Sequence, residues 1–389
     1  MPSLNPHLLD TSTPPIPEAK GWARAYAGAA GPLIDLSQAV PGYPPHADLL
    51  ARLGRAGADR ESAAYGPILG DTVLREAFAA ETRSLYGGTI EAAEIAITTG
   101  CNQAFFVAMI AVARAGDNIV LPSPWYFNHK MALDMLGMEA RALPCDPDAG
   151  FVPSVAEAEA LIDTRTRAIV LVSPNNPTGA VYPPATLAAF AALCRRRGLW
   201  LVLDETYRDF IDTQPHALFQ DDWRDVLIDL YSFSKSYCIP GHRLGAIIAS
   251  KAVMGEIEKV LDTVQICAPR VAQAPVAWAI DGLRDWRAAN TAEIARRADA
   301  FRATFAGING WRVDSVGSYF AFLRHPFADR TAADVVRALV EGRGVLCLPA
   351  PYFGPGLETH MRVAFANADI DKITALRERF TGFDMPAAG

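Results

Sequence analysis

The sequence predicts an α/β protein: a mostly parallel sheet flanked by helices, joined to a smaller α+β domain. From about residue 70 to 285, short apolar runs alternate with longer helical patterns. The runs are continuously apolar, which is typical of parallel strands that are covered on both faces. Over about the last hundred residues, the pattern changes to a long charged helix followed by strand-like runs. A chain of 389 residues is long enough for two such domains.

The predicted strands of the large sheet are six apolar runs, at residues 95–98, 118–121, 168–172, 199–203, 226–228 and 244–248. In the smaller domain we predict a helix over 293–305 and strands over 319–323, 345–348 and 361–365. We therefore assign residues 50–285 to a large domain, and residues 31–49 and 286–389 to a small domain. The proline-rich run 13–17 predicts that residues 1–30 form an extended arm without a helix.

The composition favours small-molecule chemistry. The net charge is -7, and the acidic and basic residues are interspersed, so nothing indicates a nucleic acid or an anionic membrane as partner. The chain has neither an apolar run of membrane-spanning length nor the pattern of a signal peptide, and we expect a cytoplasmic protein. The six cysteines occur singly and are expected to be reduced thiols rather than zinc ligands or disulfides.

Ligands of open α/β sheets bind at the carboxyl ends of the strands, so the residues that follow each apolar run are informative. The first run ends in Thr99, Gly100, Cys101 and Asn102 and passes directly into a helical pattern. Free backbone N–H groups and the positive end of a helix dipole favour a phosphate at such a place, and glycine lets the backbone approach it closely. In isolation, the same residues also fit a plain strand-to-helix turn.

Later runs end in three further groups: an aromatic cluster with Tyr126, a turn with Asn176, and Asp204 followed by Tyr207. Tyr126 fits either core packing or stacking on a planar cofactor, and Asn176 fits either a turn or a donor to a phenolate. A carboxylate in a pocket needs a cation, and an opposite charge at ~4 Å contributes about 4 kcal/mol at an effective dielectric of ~20. That is enough to keep a pyridinium nitrogen protonated. The alternative for Asp204 is a helix cap or an ion pair with Arg208.

Lys235 lies in a turn with Ser232 and Ser234, and Arg243 follows eight residues later. A lysine that forms a Schiff base needs neighbours that supply hydrogen bonds and positive charge for a phosphate. The serines and the arginine supply both. Taken alone, such a string also occurs around solvated surface lysines.

Together and in order, these segments resemble the class I/II aminotransferases of the fold-type I pyridoxal-phosphate enzymes. The resemblance covers about residues 36–365 and is carried by N-P-T-G at 176–179, D-x-x-Y at 204–207, S-x-S-K at 232–235, Arg243, and M-R-V at 361–363. It implies an enzyme that binds pyridoxal 5′-phosphate in its large domain. The enzyme would move an amino group from an L-amino acid to a 2-oxo acid by a ping-pong mechanism.

The resemblance implies a role for each cofactor-binding residue. Lys235 would hold the cofactor as a Schiff base and serve as general base. Asp204 would bind the pyridine nitrogen, with His129 behind it, and Tyr126 would stack on the ring. Asn176 and Tyr207 would reach the phenolic oxygen. The implied phosphate ligands are Gly100, Cys101, Asn102, Ser232, Ser234 and Arg243.

The resemblance also implies a substrate site and a homodimer. Arg362 would clamp the substrate carboxylate through a bidentate pair, near Asn176, and Ala39 and Val40 would line the pocket entrance. Tyr65 resembles the tyrosine that crosses to the phosphate of the neighbouring subunit, so each active site would need two chains.

Some questions stay open at this stage. Arg270 fits either a charge given to the partner's phosphate or a surface pair, and the role of His242 is not defined. No second arginine can be assigned to a substrate side-chain carboxylate. A C–S β-lyase or another enzyme with the same cofactor is the alternative activity. A cofactor-binding regulatory module is the alternative outside catalysis.

Overall fold

The computed structural model describes residues 2–211 and 216–385, and it contains helices on both faces of a large sheet. The helices are α1 (Pro6–Asp10), α2 (Pro15–Ala23), α3 (Ala47–Gly57), α4 (Thr72–Tyr86), α5 (Cys101–Val112), α6 (Phe127–Met135), α7 (Val155–Leu161), α8 (Pro184–Arg197), α9 (Phe233–Ser236), α10 (Lys251–Gln265), α11 (Gln273–Gly282), α12 (Arg284–Phe305), α13 (Ala332–Arg343) and α14 (Ile370–Phe380).

The strands form one large sheet and two small ones. They are β1 (Ile34–Asp35), β2 (Ile95–Thr98), β3 (Asn118–Ser123), β4 (Glu139–Pro144), β5 (Thr166–Val172), β6 (Trp200–Asp204), β7 (Leu227–Ser232), β8 (Gly245–Ile248), β9 (Arg312–Gly317), β10 (Phe320–Arg324), β11 (Val345–Leu346), β12 (Leu348–Pro349) and β13 (His360–Val363). The large sheet has the order β2-β8-β7-β6-β5-β3-β4, in which only β8 runs antiparallel to its neighbours.

The predicted fold class is confirmed, and all six predicted strands of the large sheet are present. The inner strands β3, β7 and β8 are buried along their whole length and mostly apolar, because helices cover both faces of the sheet. The sequence analysis did not find β4, one of the two edge strands of the sheet, which has the mixed sequence E-A-R-A-L-P and is partly accessible to solvent along most of its length. A strand that is partly exposed needs no continuous apolar run, so β4 gives a weaker signal in the sequence than β2, the buried strand at the other edge.

The prediction that residues 1–30 contain no helix is wrong, because α1 and α2 lie within this segment. Both helices begin with a proline at the first helical position. Proline is tolerated there because the backbone N–H of that position has no partner inside the helix, and the fixed φ of proline already suits a helix. The run 13–17 therefore starts a helix instead of preventing one.

The last third of the chain packs around a second hydrophobic cluster, together with residues close to the N-terminus. Strands β12, β13, β10 and β9 form an antiparallel sheet in that order, while β1 pairs with β11 in parallel. Ile34 and Leu36 pack in this cluster with residues of α12, α13 and α14. Helices α3 and α12 run through the predicted boundaries at residues 49 and 285, and the division into domains stays a prediction.

At Gly179, the backbone of a loop that follows the large sheet comes very close to the backbone of the small antiparallel sheet. Its φ is +78°, and an added Cβ would lie 2.5 Å from the carbonyl oxygens of Gly317 and Phe320. The backbone N–H of Gly179 donates to the carbonyl of Asn175 at 2.8 Å. The loop that carries Asn176 is therefore held against the turn between β9 and β10 without room for a side chain.

We expect Gly179→Ala to lower the free energy of unfolding by about 2–5 kcal/mol, because it combines left-handed backbone strain with overpacking. Gly198→Ala is the matched control, since Gly198 has φ +65° and open space around an added Cβ. The control should lose only about 1–2 kcal/mol. Urea unfolding of both variants checks this, and equal losses would contradict the close approach at Gly179.

Candidate active site

A cavity of about 360 Å³ opens at the carboxyl ends of β5, β6 and β7. The start of α5 and the turn around Lys235 close it on two sides. Its lining residues are Gln38, Val40, Cys101, Asn102, Tyr126, Val172, Asn176, Asp204, Thr206, Tyr207, Ser232, Ser234, Lys235, Pro240 and Arg243. Parallel strands end at one edge of the sheet, so side chains that are far apart in the sequence meet there.

Asp204 ends β6 and is only 3% exposed. His129 Nε2 lies 3.2 Å from Asp204 Oδ2, and the backbone N–H of Thr206 donates to Oδ1 at 2.9 Å. Burial alone raises the pKa of a carboxyl group, but the interactions with His129 and Thr206 outweigh it and hold the pKa of Asp204 below its ordinary value. The cavity therefore contains an ionised carboxylate.

His129 has the position that the sequence analysis expected, behind Asp204. Its ring stacks on Phe105 with centroids 3.9 Å apart, and Tyr126 packs against its edge at 5.2 Å. These contacts fix the ring plane, so that Nε2 stays directed at the carboxylate.

Lys235 lies in the short helix α9, which Ser232 caps: the Ser232 side chain accepts a hydrogen bond from the backbone N–H of Ser234. The Lys235 amine reaches across the cavity and donates to the carbonyl of Ala39 at 2.6 Å. Burial lowers the pKa of Lys235 to about 8, and the charges of Arg243 and Arg362 act in the same direction. With a pKa of about 8, roughly a tenth of the amine is uncharged at pH 7, far more than for a lysine with an ordinary pKa.

The predicted phosphate ligands surround one end of the cavity. Gly100 precedes α5 with φ +84°, and its Cα faces the Arg243 guanidinium so closely that a Cβ would collide with it. Arg243 donates to the carbonyls of Pro240 and Thr99, at 3.0 and 3.4 Å. Within the described residues, no carboxylate forms an ion pair with it.

Ser234 Oγ is buried beside this end and has no hydrogen-bond partner among the residues that the structure describes. A buried hydroxyl without a partner is costly, so an acceptor is expected there. The first backbone N–H groups of α5, at Cys101 and Asn102, face the same space. This end of the cavity has the donors and the charge that a phosphate requires.

Arg362 of β13 is 2% exposed and adjoins the cavity at the lining residue Asn176. Its guanidinium donates to Asn176 Oδ1 at 3.3 Å and to the carbonyl of Ser37, and it lies between the rings of Phe320 and Phe353. Burial lowers the pKa of Arg362 to about 10, so the group remains charged at neutral pH. Its Nε has no partner within the described part of the chain.

Two tyrosines complete the walls. Tyr126 is half-buried, and its hydroxyl donates to Asn102 Oδ1 at 3.3 Å. Tyr207 is buried against Tyr319 and Phe320, with ring centroids 5.1 Å apart in both cases. Burial raises the pKa of both phenols, that of Tyr126 to about 12, so both are neutral hydrogen-bond donors.

Two residues singled out in the sequence lie elsewhere. The side chain of Tyr65 is 78% exposed and lies outside the cavity of its own chain, so its contact with a partner stays a prediction. Arg270 Nε lies 3.1 Å from Asp71 Oδ1, and Arg270 also donates to the carbonyl of Glu61 at 2.7 Å. Of the two possibilities for Arg270, the structure therefore favours an ion pair within its own chain, with Asp71.

Sequence reasoning did not assign Gln38 or Thr206 to the site, although both line the cavity. Thr206 follows Asp204 by two residues, and a hydroxyl-bearing residue at that distance was a usable signal for a bond back to the carboxylate. Gln38 carried no signal, because its segment reaches the cavity only through the packing of the small sheet.

Residues 32–380 of the chain match the family of aminotransferases of class I and II. The chain belongs to this family. The aminotransferase is 28% identical over 345 residues to an aromatic aminotransferase of Arabidopsis thaliana, covering 85% of this chain and 84% of the relative. It is 24% identical over 372 residues to an aspartate aminotransferase of Thermotoga maritima, covering 94% and 95% of the two chains.

The fold of the aminotransferase is also that of a solved relative. An aspartate aminotransferase of Thermus thermophilus with maleate superposes with a TM-score of 0.90 at 24% identity, over 98% of this chain and 99% of the other. The family depends on pyridoxal phosphate, and the predicted activity, that of a transaminase, is confirmed. In the parts of the chain that the structure describes, no helix has the length and apolar character needed to cross a membrane.

We expect His129 and Asp204 to be energetically coupled. His129→Phe keeps the stacking on Phe105 but removes the bond to the buried carboxylate, so a double-mutant cycle with Asp204→Asn should give a coupling of about 1–3 kcal/mol in the free energy of unfolding. His325→Phe is the control, because His325 is also buried but bonds to Glu358 and Phe327 instead. Its effect should add to that of Asp204→Asn within about 0.5 kcal/mol. Additivity in both cycles would contradict the interaction.

Proposed function

We propose that this aminotransferase holds pyridoxal 5′-phosphate through Lys235 and transfers the amino group of an L-amino acid to a 2-oxo acid by a ping-pong mechanism. The observation that carries the proposal is the Lys235 amine, which lines the cavity together with an ionised carboxylate and has a pKa that burial and the charges of Arg243 and Arg362 lower. A partly neutral amine at a buried position is what a covalent bond to an aldehyde requires.

The residues of the cavity fit a planar, phosphate-bearing aldehyde. Lys235, Arg243 and Arg362 are cations, and Asp204 is the one carboxylate among the described lining residues. This excess of positive charge favours a ligand with several negative charges. The phosphate would take the hydrogen bond of Ser234, the charge of Arg243 and the N–H groups at the start of α5.

The other residues would orient the ring. Asp204 would pair with the protonated ring nitrogen, and the face of Tyr126 would cover the ring. Tyr207 and the side-chain amide of Asn176 would donate to the phenolic oxygen, since Asn176 Oδ1 is already occupied by Arg362. When bound, the cofactor supplies the electron sink that lets the Cα–H bond of an amino acid break.

Two residues would handle the substrate directly. Arg362 would bind the α-carboxylate, and its rigid position between two aromatic rings favours a single bidentate geometry. Lys235 Nζ would take the proton from Cα and return it elsewhere on the bound molecule, which a general base near its pKa does efficiently at neutral pH. Ala39 and Val40 would line the pocket beside both groups.

We also propose a homodimer in which Tyr65 of each chain reaches the phosphate site of its partner. The support is its exposure, which is unusual for a tyrosine flanked by structured segments, and its place beside the paired Arg270. The relatives named above act on aromatic amino acids and on aspartate, so the family alone leaves the donor open.

Lys235→Ala should lower the rate of transamination at least about a thousandfold, because the covalent anchor and the general base are lost together. The variant should keep its fold and bind the cofactor without a covalent bond. Lys259→Ala, at an exposed lysine, is the control and should retain the wild-type rate. Steady-state assays with a panel of amino acids and 2-oxo acids measure this, and wild-type turnover in Lys235→Ala would overturn the assignment.

The rate at which cofactor-free protein forms a covalent adduct with pyridoxal phosphate should rise with pH and level off above about 8. Only the neutral amine attacks, and the pKa of Lys235 is about 8. Below that value, the rate should fall about tenfold for each pH unit. Absorbance kinetics between pH 6 and 10 measure the profile. A midpoint near ~10.4 would mean that the reacting lysine has an ordinary pKa.

A further inference from the structure

We propose that the preferred amino donor of this enzyme has a side chain without charge, and that aspartate and glutamate are poor donors. This inference rests on the proposed function, because it concerns the same cavity. It follows from the charges around the cavity and from the segment that faces Lys235 and Arg362.

The segment 37–40 lies over the two groups that would hold the reacting part of the donor. The carbonyl of Ala39 accepts a bond from Lys235, and the carbonyl of Ser37 accepts one from Arg362. A donor whose carboxylate lies on Arg362 and whose Cα lies beside Lys235 must place its side chain against this segment. Gln38 and Val40 are the residues that the segment contributes to the cavity wall, and both are uncharged.

The two cations that line the cavity in the described residues, and Arg362 beside Asn176, each have a partner in the proposed reaction. Arg243 takes the phosphate, Lys235 the aldehyde, and Arg362 the α-carboxylate. The remaining titratable groups of the wall are Cys101, Tyr126 and Tyr207, which are neutral, and Asp204, which is negative. A second carboxylate on the donor would lose water without gaining a cation, and it would be repelled by Asp204.

Lys20 is a cation outside the cavity, at its mouth. Its Nζ lies 3.2 Å from Gln38 Oε1, and both side chains are exposed. An exposed ammonium in water gives little attraction, because water and salt screen its charge. The contact also occupies the amide oxygen of Gln38, which is itself uncharged.

In the proposed dimer, Arg270 of the partner chain is not a free cation for a second carboxylate of the donor. This arginine is next to Gly66, close to Tyr65, and would approach the neighbouring cavity together with it. However, its guanidinium is already engaged by Asp71 and by the carbonyl of Glu61. Its charge is therefore largely neutralised within its own chain.

The experiment is a single-turnover half-reaction of the holoenzyme, followed by absorbance, with phenylalanine, leucine, methionine, aspartate and glutamate as separate donors. The apparent second-order rate constant of the best neutral donor should exceed that of aspartate and glutamate at least about tenfold. Val40→Lys places an amine on the wall and should reduce this ratio at least about tenfold. Val181→Lys, at an exposed valine outside the cavity, should leave the ratio unchanged.

The outcomes separate this inference from the proposed function. If aspartate or glutamate reacts as fast as the neutral donors in the wild-type enzyme, the inference about the donor is overturned, but the proposed function is still supported. If no amino acid changes the spectrum, the proposed function itself fails. If Val40→Lys does not fold, the wild-type ratio alone decides, and a ratio near one overturns the inference.

Discussion

The site depends on the interaction that keeps Asp204 ionised although it is buried at the end of a central strand. Burial raises the pKa of this carboxyl group, but His129 and Thr206 stabilise the charged form and outweigh that effect. His129 in turn depends on its stacking on Phe105. Because the buried negative charge is fixed before any ligand arrives, the floor of the cavity selects a cation such as a protonated ring nitrogen.

The remaining charges of the cavity are arranged around that carboxylate. Together with burial, the charges of Arg243 and Arg362 lower the pKa of Lys235. The same cations that attract an anionic ligand therefore make the lysine a better nucleophile. Arg362 belongs to the small antiparallel sheet, and the loop of Asn176 is pressed against that sheet at Gly179. A substrate held by Arg362 would thus bridge the large sheet and the small antiparallel sheet.

The sequence predicted the large sheet because most of its strands are continuously apolar. It predicted Asp204 because strand ends carry ligands in such sheets, and Lys235 because the neighbouring serines and Arg243 supply hydrogen bonds and charge for a phosphate. It did not reveal β4, a partly exposed edge strand, or the helix α2, whose prolines are harmless at a helix start. Gln38 and the contact of Ala39 with Lys235 depend on how a distant segment packs over the cavity, which no local pattern encodes. Tyr65 was noticed only through the family resemblance, and a single chain leaves its role to be tested.

The most direct test is to identify the residue that holds the cofactor. The enzyme is incubated with pyridoxal phosphate, reduced with borohydride, digested, and mapped by mass spectrometry. The account predicts one pyridoxyl group per chain, on the peptide that contains Lys235, and its loss when a reactive amino donor is added before reduction. A stable adduct at another lysine, or no adduct at all, would contradict the account.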